Sequence, residues 1–160
     1  MTFEEQENLI KELNKLHERK VLSETITPDY FEPGMMEYLE QYDAYYDVVT
    51  GVIMMQFQVK GTRYEGRTEQ IEKVRSGDTV QVIRDYENTY NSNNFTLLTG
   101  KGKSLGNMPA ELCNVIAPLY DKGELVFDKA KVSFVDPISK RNRHAKQAVL
   151  FVELICKLNQ

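Results

Sequence analysis

Residues 52–59 read Val-Ile-Met-Met-Gln-Phe-Gln-Val, and the run ends at Gly61. A run of β-branched, aromatic and other apolar residues that stops at a glycine predicts a buried β-strand. Similar runs follow, separated by turn residues, over residues 78–84, 94–98, 125–127, 131–135 and 148–155. Several short strands with turn signals between them predict a small, partly closed β-barrel.

One helix is predicted among these strands. Pro109 stands where a first helical position is expected, and an apolar stripe follows at helical spacing and ends before Lys122. The stripe consists of Leu112, Cys113, Val115, Ile116 and Leu119. The predicted fold class is therefore mainly β with flanking helices (α+β).

The N-terminal part of the chain differs from the rest in charge. Residues 1–50 contain twelve Asp/Glu and four Lys/Arg, a net charge of −8, whereas residues 51–160 have a net charge of +4. Such an asymmetry suggests an arm with a role of its own. We therefore expect an acidic helical extension over residues 1–50 and a barrel domain over residues 51–160.

Two helices are predicted in this extension. Thr2-x-x-Glu5 is a capping-box pattern, and an apolar stripe follows it at helical spacing. The stripe consists of Phe3, Leu9, Ile10, Leu13 and Leu16. After an irregular connection over residues 27–34, the four tyrosines among the acidic residues of 35–46 indicate a second helix.

Composition places the chain among globular proteins. Of its 160 residues 41% are hydrophobic and 28% charged, and 9 Gly and 5 Pro are too few for a collagen-like or disordered chain. No run reaches the roughly 18 apolar residues of a membrane span, and the N-terminus is acidic where a signal peptide is basic. We expect a cytoplasmic protein with no membrane partner. Cys113 and Cys156 have apolar neighbours, which predicts inert buried thiols.

Motifs for catalysis or metal binding are not found in the sequence. His17 and His144 are the two histidines, and neither lies within turn or helix reach of a cysteine. Gly102-Lys103-Ser104 lacks the earlier glycine of a phosphate loop, because Leu97 stands there, and it predicts a hairpin tip instead. We expect no catalytic activity, no metal and no cofactor.

Two polar and aromatic segments stand at strand ends. Residues 61–66 read Gly-Thr-Arg-Tyr-Glu-Gly, and residues 84–94 carry Tyr86 and Tyr90 among Asn, Asp and Ser. Proteins hold single-stranded nucleic acid by stacking bases on aromatic rings and pairing phosphates with cations. The same residues also suit ordinary loops, because Asn, Asp and Ser bond backbone amides and tyrosines pack half-buried. The residues alone leave both interpretations open.

Residues 57–119 resemble the HIRAN domain, a small module of some Swi/Snf-type helicases and of stand-alone bacterial proteins. The similarity lies in Val59-Lys60-Gly61-Thr62-Arg63-Tyr64-Glu65-Gly66, Gly77-Asp78, Arg84-Asp85-x-x-Asn88-x-Tyr90-x-x-Asn93, Gly102-Lys103-x-Leu105-Gly106-x-Met108-Pro109-x-Glu111-Leu112 and Ala117-Pro118-Leu119. The resemblance implies an OB-like β-barrel with one helix packed at its end. It also implies binding of single-stranded DNA or DNA 3′ ends in repair or replication.

The resemblance assigns roles to four residues. Arg63 is expected to pair with a phosphate, and Tyr64 and Tyr90 are expected to stack on bases. Asn88 is expected to form hydrogen bonds with the terminal nucleotide.

Two positions depart from the family pattern. Asn91 stands where the family commonly has an aspartate that contacts the 3′-hydroxyl, so we expect weak discrimination between 3′-hydroxyl and 3′-phosphate ends. Ala110 replaces a lysine that contacts phosphate in a DNA-binding member. Lys101, Lys103 or the basic loop 140–146 are the candidates to replace that lysine.

A competing interpretation is a non-catalytic protein-interaction or scaffold module that keeps the barrel and does not bind DNA. The acidic extension likewise has two interpretations. Its apolar stripe packs on the barrel, a protein partner or a second copy, or its charge covers the basic groove and competes with DNA.

Overall fold

A computed structural model describes residues 2–12, 34–47, 49–64, 66–137 and 148–159 of the chain. The helical elements are α1 over residues 3–12, α2 Met35–Leu39, a 3₁₀ turn Glu40–Tyr42, α3 Arg67–Ile71 and α4 Ala110–Asp121. The strands are β1 Tyr45–Asp47, β2 Val52–Gln58, β3 Val80–Asp85, β4 Asn94–Thr99, β5 Ser104–Asn107, β6 Leu125–Asp136 and β7 Val149–Leu158.

The strands form two antiparallel sheets that are linked at two places. One sheet has the order β1-β2-β7-β6 and the other the order β3-β4-β5. Beyond β2, the backbones of Lys60 and Asn107 exchange two hydrogen bonds of 2.8 Å, and before β3 Thr79 bridges Lys131. These short contacts join β2 to β5 and β3 to β6, so the sheets curve into the partly closed barrel that the sequence predicts.

The core lies between the sheets and α4. In β2 Ile53, Met55 and Phe57 are buried while the residues between them are half-buried, because successive strand residues point to opposite faces. Helix α4 packs against β4 and β6, and the ring of Tyr120 meets Phe95 at 5.3 Å between centroids. The predicted stripe of α4 is confirmed, with Val115 half-buried and its other four members buried.

Both cysteines lie in this core as free thiols, as the sequence predicts. Burial raises the pKa of Cys113 to about 11 and that of Cys156 still further. Because the thiolate is the reactive form, both thiols are inert at neutral pH.

Three details of the predicted elements are wrong. The helix expected over residues 35–46 ends at Tyr42, because Asp43 adopts a left-handed conformation (φ 55°) and Tyr45–Asp47 then pairs with β2. The strands expected over 125–127 and 131–135 are one strand, β6, whose pairing with β7 shifts register at two places without ending. Pro109 is the residue before the first helical position, with an extended ψ of 135°.

The capping box of the extension is confirmed. The Thr2 amide donates to a Glu5 carboxylate oxygen and the Glu5 amide donates to the Thr2 hydroxyl, both at 3.1 Å. In α1 the stripe residues Phe3, Leu9 and Ile10 are exposed. The predictions on Leu13, Leu16, both histidines and loop 140–146 lie outside the described residues. Among the helices that are described, none has the length and apolar character needed to span a membrane.

Candidate nucleic-acid interface

Arg63 and Tyr64 form an exposed pair in the turn after β2. The turn is possible because Gly61 has φ +69°, and the Tyr64 amide donates back to the Gly61 carbonyl at 3.3 Å. An Arg63 guanidinium nitrogen donates to the Tyr64 hydroxyl at 2.6 Å, and the guanidinium carbon lies 4.9 Å from the ring centroid. The turn therefore presents a cation beside an exposed aromatic ring.

Arg67 is buried at the start of α3 and forms hydrogen bonds that stabilise the Arg63–Tyr64 turn. Its guanidinium donates to the Gly61 carbonyl at 3.1 Å and to the Ser104 hydroxyl at 2.9 Å. A Cβ at position 61 would lie 2.9 Å from the Arg67 guanidinium, which is a second reason for the glycine. Arg67 therefore holds the Arg63–Tyr64 turn against the start of β5.

The Asn88 side chain organises the loop between β3 and β4. Its oxygen accepts from the amides of Tyr90 and Asn91, both at 3.0 Å, and its nitrogen donates to Asp85 at 3.2 Å. Both the oxygen and the nitrogen of the Asn88 side-chain amide therefore form hydrogen bonds within the protein. Asn88 positions the loop in this structure. The loop holds Tyr90 with 97% of its surface exposed.

Asn91 attaches the same loop to α4. Its side-chain nitrogen donates to the Asn114 side-chain oxygen at 3.2 Å and to the Ala110 carbonyl at 3.5 Å. Its side-chain oxygen accepts from the Asn93 amide at 3.0 Å. These contacts place the Tyr90 loop against the N-terminal half of α4.

A buried polar network joins the two predicted segments. Asn94 is 5% exposed, and its side-chain nitrogen donates to Asp85 at 3.3 Å and to the Asn107 side-chain oxygen at 3.1 Å. Asp85 also accepts from Asn88, while the Asn107 backbone pairs with Lys60 at the start of the other segment. The Tyr90 loop and the Arg63–Tyr64 turn are therefore parts of one connected structure.

Asn94, Asn107 and Arg67 were not among the predicted site residues. A usable signal existed for the two asparagines, because asparagine is depleted in strands and these stand at the start of β4 and the end of β5. Arg67 offered no such signal, since an arginine in a short polar segment normally lies in solvent.

Arg84 connects the start of the Tyr90 loop to the end of α4 through an ion pair and hydrogen bonds. Its guanidinium meets both carboxylate oxygens of Asp121 at 3.0 and 3.1 Å and donates to the Ser92 carbonyl at 2.7 Å. Its carbon lies 4.1 Å from the Tyr86 ring centroid, and the Tyr86 hydroxyl donates to Asp121 at 2.9 Å. Hydrogen bonds from Arg84 lower the pKa of Asp121, and the same pairing raises the pKa of Arg84. Arg84 is a structural cation.

A cleft of about 480 Å³ lies between the end of β2 and the start of α4. It contains Lys60 of the Arg63–Tyr64 side and Ala110, which contacts the Tyr90 loop through Asn91. Its lining consists of Gln41, Tyr42, Asp43, Gln56, Phe57, Gln58, Lys60, Pro109, Ala110, Glu111 and Phe151. Residues from the acidic extension thus form part of the wall of this cleft.

Lys101 and Lys103 lie at the other end of the hairpin. The tip is confirmed, with the Gly102 amide donating to the Thr99 carbonyl at 2.9 Å. From Asn94 to Thr99 the strand advances five residues, about 17 Å at the usual rise of a strand. Asn88, Tyr90 and Asn91 therefore belong to one ordered loop and Arg63 and Tyr64 to one turn, and the two lysines lie apart from the Tyr90 loop.

Known proteins similar to this chain are found among solved structures and protein families. No curated protein sequence matches the chain significantly. Among solved structures, the HIRAN domain of human HLTF is 21% identical, covers 65% of this chain and 76% of its own, and has a TM-score of 0.47. A protein from Lactobacillus plantarum is 21% identical, with coverages of 66% and 98% and a TM-score of 0.49.

A third similar structure is the HLTF HIRAN domain in its DNA-bound conformation, which is 19% identical, with coverages of 66% and 76% and a TM-score of 0.45. The model of the HIRAN domain family matches residues 52–152, which run from the start of β2 into β7 and include both segments of the site. This chain belongs to the HIRAN domain family.

Proposed function

We propose that this protein is a nucleic-acid-binding module that holds single-stranded DNA at a 3′ end, in DNA repair or replication. One observation carries the proposal: Tyr90 is 97% exposed although two hydrogen bonds to Asn88 organise the backbone around it. An exposed ring on an ordered loop loses little conformational entropy when a base stacks on it. Such stacking contributes about 1–3 kcal/mol per base.

Arg63 and Tyr64 supply the complementary chemistry. A guanidinium donates to phosphate oxygens in a fixed planar geometry, and the neighbouring ring offers a second surface for a base. The buried network through Asn94 connects this pair and the Tyr90 loop in one arrangement, so that a single strand meets both. Membership of the HIRAN family supports DNA as the partner, and nothing in this chemistry requires a reaction.

The proposal predicts salt-dependent binding that is lost when the exposed groups are removed. In fluorescence anisotropy with a short single-stranded DNA carrying a free 3′-hydroxyl, Tyr90→Ala and Arg63→Ala should each weaken binding about tenfold or more. Tyr90→Phe keeps the ring and should bind nearly as the natural chain does. Lys122→Ala removes one exposed charge at the end of α4 and is the control for Arg63→Ala.

Unchanged binding by Arg63→Ala and Tyr90→Ala would contradict the proposal. If the full-length protein bound no DNA even at low salt, the protein-interaction alternative would be favoured. That alternative is supported by one feature of the described residues, the exposed apolar stripe Phe3, Leu9 and Ile10 of α1, which suits a protein partner or a second copy.

Selectivity for the 3′ end is expected to depend on the charge of residue 91. The natural chain should bind 3′-hydroxyl and 3′-phosphate strands with similar affinity, because a neutral amide does not repel the phosphate. Asn91→Asp should favour the 3′-hydroxyl strand several-fold. The measurement is the ratio of the two dissociation constants in each variant.

Protein stability must be measured in the same test. Asn91→Asp loses the donor to Asn114 and Ala110, so the free energy of unfolding must be measured beside binding. Asn93→Asp is a matched control, because it adds the same charge two residues away and also loses a donor to Asn114. Equal ratios in the natural chain and in Asn91→Asp would show that residue 91 does not set the selectivity.

A further inference from the structure

A second open cleft, of about 520 Å³, lies at the hairpin tip, at the end of β4 opposite the Tyr90 loop. Its lining comes from the end of α3, the start of β3 and the turn between β4 and β5. The residues are Gln70, Lys73, Val74, Asp78, Thr79, Thr99, Gly100, Lys101 and Lys103. We call it the hairpin-tip cleft.

Three lysines from two separate parts of the chain converge on the hairpin-tip cleft. Lys73 follows α3, whereas Lys101 and Lys103 belong to the hairpin turn, and all three are exposed. In the described part of the chain no carboxylate lies within ion-pair distance of any of them. The one carboxylate in the lining, Asp78, accepts the Arg75 amide at 2.9 Å in its own turn. Three cations against one carboxylate make the cleft electropositive.

The remaining lining is polar and ordered. The Thr99 hydroxyl accepts the Lys103 amide at 3.0 Å, which fixes the turn that carries both lysines of the hairpin. Val74 is the one large apolar side chain in the lining. A cleft of this composition suits an anionic ligand, and lysines bind phosphate as point charges with no preference for the base attached.

The hairpin-tip cleft is also placed to meet a strand that leaves the first site. Arg67 bonds both the Gly61 carbonyl and the Ser104 hydroxyl, so the Arg63–Tyr64 turn lies next to the residue that follows Lys103. The Tyr90 loop is about 17 Å from the tip along β4. A stacked strand rises about 3.4 Å per nucleotide along its axis, so about five nucleotides span this distance.

We propose that the hairpin-tip cleft binds backbone phosphates of a nucleic-acid strand whose 3′ end is held between Arg63–Tyr64 and Tyr90. This inference rests on the proposed function and extends it. The first site reads the end of the strand, and the lysines of the second hold its backbone several nucleotides away. Affinity should then rise with strand length up to about this span and level off beyond it.

Salt titrations with two lengths of DNA test the inference. A trinucleotide and a dodecanucleotide with the same 3′ sequence are bound to the full chain and to the triple variant Lys73→Gln, Lys101→Gln, Lys103→Gln. The matched control is Lys11→Gln, Lys122→Gln, Lys157→Gln, which removes the same charge from exposed lysines elsewhere.

The lysine variant should weaken dodecanucleotide binding and reduce its salt slope by about 2, since each phosphate contact on a single strand contributes about 0.7. Binding of the trinucleotide should match that of the control variant. If the two triple variants bind both lengths of DNA alike, the cleft is not a phosphate site. The proposed function still stands in that case, provided that Tyr90→Ala weakens binding. If the natural chain binds neither DNA at low salt, both proposals are overturned.

Discussion

Replacing Gly106 with alanine is expected to lower the free energy of unfolding by about 3 kcal/mol or more. A Cβ at this position would lie 2.4 Å from a Val59 methyl carbon and 2.5 Å from the Lys60 carbonyl oxygen, closer than such atoms can approach. The backbone also has φ +150°, a conformation that alanine adopts only with strain. Both the crowding and the strain fall where β5 meets the segment after β2.

Urea unfolding checks this expectation, with Gly100→Ala as the control. Gly100 lies in the turn between β4 and β5, before Gly106 in the chain, and a Cβ there would have no heavy atom within 4 Å. Gly100→Ala should therefore change stability little. If Gly106→Ala unfolds within about 0.5 kcal/mol of that control, the edge between β5 and Lys60 is more adaptable than the structure indicates.

Replacing Asn94 with leucine is expected to cost about 2–4 kcal/mol of stability and to weaken DNA binding in the folded protein. Leucine has the same number of side-chain heavy atoms and the same branching, so the change removes the hydrogen bonds while it keeps the shape of the side chain. Asp85 and Asn107, both half-buried, would each lose a donor. Asp85 accepts a hydrogen bond from Asn88, and the Asn107 backbone pairs with Lys60. The Tyr90 loop and the Arg63–Tyr64 turn would therefore lose the hydrogen bonds that connect them.

Urea unfolding and anisotropy under conditions where the variant remains folded measure the two effects. Asn93→Leu is the matched control, since its side chain forms one hydrogen bond to exposed Asn114. The control should lose less stability and keep more affinity. Stability and binding that are the same in Asn94→Leu and Asn93→Leu would show that the buried network does not organise the site.

The elements with strong local patterns were predictable. The alternation in β2, the apolar stripe of α4 and the glycine-rich turn before β5 each specify their structure through neighbours in the chain. The capping box at Thr2 and Glu5 is equally local, and its two hydrogen bonds are those that the pattern predicts. Such features follow from side-chain periodicity and turn chemistry within a few residues.

The prediction failed where a distant partner decides the conformation. Tyr45 and Tyr46 continue a helical pattern in sequence, yet they form β1 because β2 offers an unpaired edge and Tyr46 becomes buried opposite Ile53. Likewise β6 runs through a stretch that looks like two strands, because β7 supplies a long partner for it. Long-range pairing outweighs local propensity at these positions.

For the candidate site, the sequence predicted which residue types the two segments provide, and the family model confirms the family that they indicate. The sequence did not predict the structural role of each of these residues. Asn88 turns out to hold a loop, Arg84 fastens that loop to α4, and Lys101 and Lys103 lie at the far end of a hairpin. Each outcome depends on which atoms lie within hydrogen-bond distance after folding.

By itself, the sequence determined most of the strands, the central helix, the family and the aromatic and cationic residue types of the site, because these depend on local pattern and composition. Only the tertiary structure decided that Asn94 and Asn107 join the two segments and that Lys73 meets Lys101 and Lys103 in a separate cleft. Residues far apart in the chain come together only when the two sheets close on each other. The geometry of the proposed interface is therefore a property of the barrel as a whole.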